Sequence, residues 1–356
     1  MNEIEIYQGN IKIRKDRFPP IRSMVNTFRS SLDSAAELDA LEVPFIAGTA
    51  EQHGNYDCWS PFSLGALAAL AFTTKNLRFQ PTALPLPQQE PLRVTEDLAM
   101  FDVISGGRAE GGFGYGYCPR HFAVTGTERE GRAGRLMEGM EVVRLALSQE
   151  EFSFSGRHFQ FDRVRVHPRP IQKPHPPLWL LGGTSPLGAK RAGAHGFPFL
   201  AYGMSIDELR HASEVYYQAA SDAGVDKSQL RLGMGELGIW VGRTHDEARK
   251  YIDGFMRGHE WETYVSYGWM VNDKEHGRDQ SFNSGDYREG MALTPAAQNW
   301  VDSQRLCTPD EAVEYMQELI DLGVTRMFAP FGNPRLIMQE VLPHFIPQLS
   351  GSLTRA

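Results

Sequence analysis

The segment Pro176-Pro177-Leu178-Trp179-Leu180-Leu181-Gly182-Gly183-Thr184-Ser185-Pro186 runs from a buried apolar stretch into two glycines, two hydroxyl residues and a helix-opening proline. Glycine admits close backbone approach, a helix start leaves amide N–H groups without intrahelical partners, and the hydroxyls of Thr184 and Ser185 add donors. Such a cradle suits an anion, and the same residues also make an ordinary helix N-cap. A second cluster is Gly111-Gly112-Phe113-Gly114-Tyr115-Gly116-Tyr117, which lacks the Gly-x-Gly-x-x-Gly spacing of a dinucleotide-binding helix. Its glycines would let a flat ligand lie on the backbone between Tyr115 and Tyr117, or else turn a tight barrel corner. A third, Glu51-Gln52-His53, offers the His53 imidazole as an acid or base near neutral pH, although a single histidine is commonly structural. No His-Glu-x-x-His, Gly-x-Ser-x-Gly or Walker sequence occurs. His167, His175 and His195 lack compact ligand spacing, so no metal site is expected.

Elements that position these residues follow from an alternation of short apolar runs with longer stretches of helical spacing. Strands are predicted at Ile4–Tyr7, Phe45–Thr49, Leu77–Leu84, Ala109–Gly114, Leu178–Leu181, Phe199–Tyr202, Leu232–Val241 and Arg326–Pro330. Leu136, Met140, Val143 and Leu147 share one helical face, and another helix is predicted from about Thr95 to Gly106-Gly107. Thr308-Pro309-Asp310-Glu311 has a capping box with proline at the first helical position, and Gly323 suits the C-cap of that helix. Parallel neighbours need crossover connections, so eight such repeats imply an α/β fold: a single (β/α)8 TIM-like barrel domain over residues 1–356. A doubly wound sheet of the flavodoxin type is the rival. In the barrel, the active site lies at the carboxyl ends of the strands. Two insertions interrupt the pattern: a β-hairpin over Phe152–Val166, and a lid-like or merely solvated loop from Gly254 to Gln304.

The chain is 41% hydrophobic and 22% charged, the mix of a globular protein with a sizeable core. Cys58, Cys118 and Cys307 form no Cys-x-x-Cys pair, which argues for a reducing compartment. The start, Met1-Asn2-Glu3-Ile4-Glu5, is acidic where a secretion signal would be basic, and the apolar run Leu64–Phe72 is far short of a membrane span. A cytoplasmic protein without a membrane partner is expected. A net charge of −8 with no basic stripe argues against a nucleic-acid partner.

Several motifs fall in a characteristic order. They are Glu51-Gln52-His53, Leu86-Pro87-Gln88-Gln89-Glu90-Pro91-Leu92-Arg93, Glu96-Asp97-Leu98 through Ser105-Gly106-Gly107-Arg108, Phe113-Gly114-Tyr115-Gly116, Ser155-Gly156-Arg157-His158-Phe159, and Gln172-Lys173-Pro174-His175-Pro176-Pro177-Leu178-Trp179 with its Gly182-Gly183-Thr184-Ser185 tail. In this order they resemble the bacterial luciferase-like flavin monooxygenase family, from about Phe45 to Pro198 and again over Thr308–Phe331. The resemblance implies a barrel that binds flavin mononucleotide (FMN) at the strand ends. The phosphate would sit at Gly182, Gly183, Thr184 and Ser185. The Pro87–Gln89 turn, with Gln88 and Gln89, would lie against the ring, where relatives carry unusual backbone geometry, and Gly114, Tyr115 and Gly116 would pass beside the flavin.

It further implies a two-component monooxygenase. Reduced FMN from a separate reductase would react with O2 to a C4a-hydroperoxide that oxygenates a small, largely apolar substrate, with His53 and Gln52 in the reaction site. Trp261, Tyr264, Tyr267 and Trp269 of the lid region would close over the substrate. A homodimer is implied as well. Two departures stand out: Gln52 replaces the first histidine of the usual Glu-His-His, and Tyr115 stands where several relatives place an arginine near the phosphate. Glutamine cannot exchange a proton at neutral pH, and a basic partner for the phosphate must come from elsewhere or be replaced by amides and hydroxyls. A deazaflavin (F420)-dependent hydride-transfer enzyme and a non-catalytic flavin-binding barrel are the alternative readings.

Overall fold

The computed structural model describes residues 5–10, 21–43, 45–53, 60–116, 119–183, 185–202, 205–235, 237–256 and 304–346. In chain order its strands and helices begin with β1 (Glu5–Asn10), α1 (Ile21–Asp39), β2 (Ile46–Gly48), α2 (Ser63–Thr73), β3 (Arg78–Phe79) and α3 (Pro91–Ser105). Next come β4 (Gly111–Gly114), α4 (Pro119–Thr125), α5 (Arg132–Ser148), the hairpin strands β5 (Phe152–Ser155) and β6 (Gln160–Val164), β7 (Leu178–Gly182) and α6 (Pro186–His195). The described remainder holds β8 (Phe199–Tyr202), α7 (Ile206–Asp222), β9 (Leu232–Gly235), β10 (Ile239–Val241), α8 (His245–Met256), β11 (Arg305–Cys307), the helix Pro309–Asp321, β12 (Val324–Phe328) and β13 (Phe331–Gly332).

Eight of the strands form one sheet in the order β3-β2-β1-β12-β9-β8-β7-β4, every pair parallel. Parallel bridges from Phe79 to Ala109 and from Leu84 to Phe113 join the β3 segment back to β4. The sheet therefore closes, with strands following one another in chain order, and the fold is a (β/α)8 barrel. A doubly wound sheet would reverse direction at a switch point, and this one does not.

Each predicted strand segment supplies one barrel strand. The run Leu232–Val241 splits, because Gly238 adopts φ +66° and turns the chain out of the barrel. There β10 pairs with β11 and β13 in a separate three-stranded parallel sheet. Helix α3 begins at Pro91 rather than near Thr95, since Glu90 caps it by accepting from the Arg93 amide at 2.7 Å. The residues ahead of Thr125, which lack clean amphipathic spacing, form the short helix α4. Leu136, Met140, Val143 and Leu147 are all buried on α5. The Thr308–Glu311 capping box forms as expected. Gly254–Met256, the expected start of the lid, is the last turn of α8, and 257–303, with Trp261, Tyr264, Tyr267 and Trp269, lies outside the described residues.

Some motifs that resemble the family turn out to be scaffold. Arg108 donates to the carbonyls of Ala71 at 2.7 Å, Leu77 at 2.9 Å and Thr74 at 3.0 Å, tying the C-terminal end of α2 to the start of β3. Asp102 accepts from the Gln172 backbone at 2.9 Å and side chain at 2.7 Å, which joins two distant motifs across the outside of the barrel.

The barrel interior is layered. Toward the amino ends of the strands, Glu110 and Arg326 are fully buried and share two hydrogen bonds of 2.8 and 3.2 Å, while Arg78 adds a third at 2.8 Å. The Arg326 guanidinium also lies 3.9 Å from the Trp179 ring centroid. Above this ionic layer, Ile46, Trp179, Leu181, Leu200 and Phe328 pack into an apolar plug with Ala83 and Tyr202 at its edge. The mouth sits over a close-packed apolar floor. Among the described residues no helix is long and apolar enough to cross a membrane.

Candidate active site

After β2, Glu51 is the organising group of the mouth. Its Oε2 accepts from the Ser63 amide at 2.9 Å and the Ser63 hydroxyl at 2.8 Å, so the carboxylate caps the N-terminus of α2. Its Oε1 accepts from the Gln89 side chain and lies 3.3 Å from His53 Nε2. Glu51 is buried, whereas the His53 side chain keeps 24% of its surface exposed. A buried carboxylate with this many donors is fixed in place, and it orients the more accessible imidazole. Gln52 is buried beside it, its amide donating to the Ser60 carbonyl at 3.3 Å.

The segment after β3 forms a tight turn over Leu86–Gln88 and brings Gln88 and Gln89 to the same rim. The unusual backbone geometry expected at Pro87–Gln89 lies earlier, at a cis peptide between Thr82 and Ala83. Both polar atoms of the Gln88 side chain are buried without a partner among the described residues. A cleft of about 460 Å3 opens beside this pair, with Gln88, Gln89, Thr127, Arg135 and Phe159 among its walls. Phe159 comes from the β5–β6 hairpin. The hairpin is held by Glu138 of α5, whose carboxylate accepts from the backbone of Arg157 at 3.0 Å, His158 at 2.7 Å and Phe159 at 3.3 Å.

The glycines after β3 and β4 answer mainly to chain packing. A Cβ at Gly112 would lie 2.0 Å from the Pro81 carbonyl, one at Gly114 would lie 3.0 Å from Ala83 Cβ, and one at Gly116 would lie 2.8 Å from Gln88 Nε2. Gly116, at φ +68°, also turns the chain away after β4. Chain packing by itself therefore requires glycine at these positions, while a Cβ at Gly183 would meet nothing within 4 Å. At the end of β7, Ser185 accepts from the Leu187 amide at 3.3 Å as the N-cap of α6, with Pro186 in the first turn. Thr184 lies outside the described residues.

Two helices bring arginines to Tyr115. Arg191 of α6 stacks over the Tyr115 ring, its Cζ 5.8 Å from the centroid. Burial pushes the Arg132 guanidinium of α5 below the ordinary arginine value, repulsion from Arg129 and Arg191 adds to that, and the Tyr115 phenol opposes it. The Tyr115 hydroxyl and Arg132 Nε are buried without hydrogen-bond partners among the described residues. These orphaned groups and clustered cations fit a ligand with an anionic tail and a hydrogen-bonding ring edge, as a flavin has. Among the described residues no group of three or more His, Cys, Asp and Glu side chains is arranged to hold a metal ion.

The structure thus gathers Gln52, His53 and Gln89 around Glu51, sets Gln88 against Gly116, and connects Tyr115 to the helix that Ser185 caps. Motif reading left three residues without a role. Glu51 was visible as the neighbour of His53. Arg132 and Arg191 had no signal in their spacing, because they converge only through the packing of α5 and α6 around β4.

The geometry agrees with what the chain resembles. The family model for luciferase-like monooxygenases matches residues 25–326. The chain is 35% identical over 185 residues to the uncharacterized protein y4wF of Sinorhizobium fredii, a match spanning 51% of this chain and 54% of that protein. It is 23% identical over 305 residues to the alkanal monooxygenase alpha chain of Photorhabdus laumondii, covering 81% of this chain and 84% of that one. Among solved structures, monooxygenase RslO1 from Streptomyces bottropensis superposes with a TM-score of 0.71 at 22% identity, covering 98% and 96% of the two chains. An F420-dependent secondary alcohol dehydrogenase gives 0.70 at 15% identity, covering 98% and 99%. With a closed barrel, a mouth built from the motif residues, and a family match over most of its length, the chain belongs to the luciferase-like monooxygenase family.

Proposed function

We propose that this protein is a two-component monooxygenase that takes reduced FMN from a separate reductase and uses O2 to oxygenate a small, largely apolar substrate. The observation that carries the reading is the pairing at one mouth of a carboxylate-oriented histidine with a cluster of cations that have no carboxylate partner among the described residues. When bound, reduced flavin supplies the electrons that activate O2. The side chains do the rest. Tyr115, Arg132, Arg191 and Ser185 with Gly183 and Thr184 hold the tail. Gln88, Gly114 and Gly116 border the ring, and Gln89 completes the hydrogen bonding of Glu51. With Nε2–H directed at Glu51, His53 keeps Nδ1 as an acceptor and can take or return a proton at the substrate. Gln52 donates or accepts a hydrogen bond without exchanging a proton.

Oxygen uptake tests this. Purified protein supplied with photoreduced FMN should consume O2 in step with the loss of one member of a panel of aldehydes, ketones and aromatics. Stopped-flow spectra should show a transient distinct from both oxidised and reduced flavin. A flavin that oxidises at the same rate with and without every candidate, leaving only peroxide, would overturn the reading. The likeness to an F420-dependent dehydrogenase favours a second reading, hydride transfer to a deazaflavin on the same barrel. It predicts tighter binding of the deazaflavin than of reduced FMN, and no O2 dependence.

A homodimer belongs to the same proposal. Phe72 on α2 is 84% exposed, and Met100, Val103 and Ile104 of the neighbouring α3 are exposed too, an apolar face that water does not favour. Light scattering should give twice the chain mass, and Phe72→Glu with Ile104→Glu should give the monomer. A monomeric wild type would remove this part.

A further inference from the structure

We propose that Tyr202 and Phe328 form the substrate wall of the mouth, and that this wall selects a planar aromatic substrate over an open-chain one of the same size. The inference rests on the flavin reading of the mouth and deepens it by naming the substrate class.

The strand order sets two arcs of the closed barrel against each other. β4, β3 and β2 are neighbours, and β12, β9 and β8 stand four places away across the axis. The first arc is flat where it meets the mouth. Gly114 ends β4, Ala83 follows β3, and a Cβ on Gly114 would lie 3.0 Å from that of Ala83. Gly114 is among the residues proposed to border the flavin ring, and His53 follows β2 on the same arc. The facing arc is therefore the one left for the substrate.

That facing arc is aromatic by construction. Tyr202 ends β8, Phe328 ends β12, and Gly235 ends β9 between them. Parallel pairing sets Tyr202 level with Gly235. A Cβ at Gly235 would lie 2.8 Å from two atoms of the Tyr202 ring, so the missing side chain is what lets that ring cross β9. The ring meets Phe328 edge to face, with centroids 5.5 Å apart and planes at 83°. The layer beneath repeats the device, since a Cβ at Gly233 would lie 2.4 Å from Leu200 Cδ1.

Leu200 and Trp179 are fully buried below this pair, so the floor is closed and a chain has no slot to thread downward. Tyr202 stays partly exposed above them. An edge-to-face pair offers one guest both a ring face and a ring edge, and an aromatic guest gains from them beyond the area it buries. A planar guest also loses less rotamer freedom than a flexible chain of equal carbon count. Tyr202 and Phe328 thus determine specificity, and Gly235 is a positioning residue that acts through the Tyr202 ring.

Anaerobic calorimetry with the full chain and excess photoreduced FMN, titrated with acetophenone and with methyl hexyl ketone, tests the wall without turnover. The two ketones match in carbon count and in carbonyl position. Acetophenone should bind about tenfold more tightly, the ratio expected for about two aromatic contacts. Tyr202→Leu should bring the ketones within about twofold of each other, while FMN affinity within about twofold of wild type reports an intact fold. Tyr202→Phe should keep the preference, because the ring rather than the hydroxyl makes the contact. Gly235→Ala should erase it as Tyr202→Leu does, since the new Cβ displaces the ring. Equal binding of the ketones to the wild type, no binding of either, or a preference that survives Tyr202→Leu would overturn the inference and leave the flavin reading standing. If FMN itself does not bind, the flavin reading falls first and carries the inference with it.

Discussion

Replacing Glu51 with alanine is expected to lower kcat/KM by about two to three orders of magnitude, as much as replacing His53 itself, within the range of positioned acid–base groups. The reason is that Glu51 holds its neighbours in place. Its two oxygens receive the Ser63 amide and hydroxyl, the Gln89 side chain and the His53 imidazole. Without the carboxylate, α2 loses its cap, Gln89 loses its anchor, and His53 is free to rotate or take the other tautomer.

Kinetics on the substrate found by oxygen uptake would separate this from general damage. In both single variants kcat should fall more than KM rises. The double variant Glu51→Ala/His53→Ala should be little worse than either single. Glu51→Gln should retain part of the fold and of FMN binding while losing most of kcat. Wild-type kcat/KM in Glu51→Ala would end the idea that this carboxylate orients the imidazole. A His53→Ala enzyme with unchanged kinetics would point instead to a flavin-binding barrel without catalysis.

The second large effect belongs to the barrel interior. Glu110→Gln should destabilise the protein by about 3–5 kcal/mol at neutral pH, because the fully buried Arg326, flanked by the half-buried Arg78, would then face a neutral amide. Burial alone would raise the Glu110 carboxyl, but Arg326, and then Arg78, overcome that and hold it below the ordinary carboxylate value. The sign of the pH dependence follows. Unfolded glutamate titrates near ~4.3, so the stabilisation is fully present above that value and is lost as pH falls through the lower folded one. Thermal melts from pH 7 downward should show the wild type losing stability steeply on the acid side, with the variant starting lower and flatter. Replacing the pair together, Glu110→Leu with Arg326→Met, should recover part of the loss. Equal stability of wild type and Glu110→Gln at pH 7 would show that the ionic layer contributes nothing.

Much of this molecule was legible in one dimension. Most barrel strands announced themselves as short apolar runs, because a strand covered on both faces must be apolar along its length. The helices showed their caps and faces in the same local way: Thr308 with Glu311, Gly106 after α3, and the Leu136 to Leu147 stripe. The hairpin over residues 152–166 showed its period of two.

Where local patterns gave two answers, only packing chose between them. Gly112 and Gly114 could have served a ligand or a corner, and the Pro81–Ala83 segment pressed against them requires glycine there whatever binds. The start of α3 moved because a side chain outside the periodic stretch, Glu90, caps it.

The sequence by itself determined the barrel and the motif positions at its mouth, since both depend on near-neighbour periodicity and short turns. It could name His53, Gln52, Gln88, Gln89 and the Gly182–Ser185 turn, because each follows a strand. Tertiary structure alone decided which residues act on them. Glu51 is joined to Ser63 and Gln89, Glu110 to an arginine 216 positions away, and Tyr115 to Arg191. Electrostatics depends on distance through space, and closing the barrel brings together charges that no spacing along the chain relates.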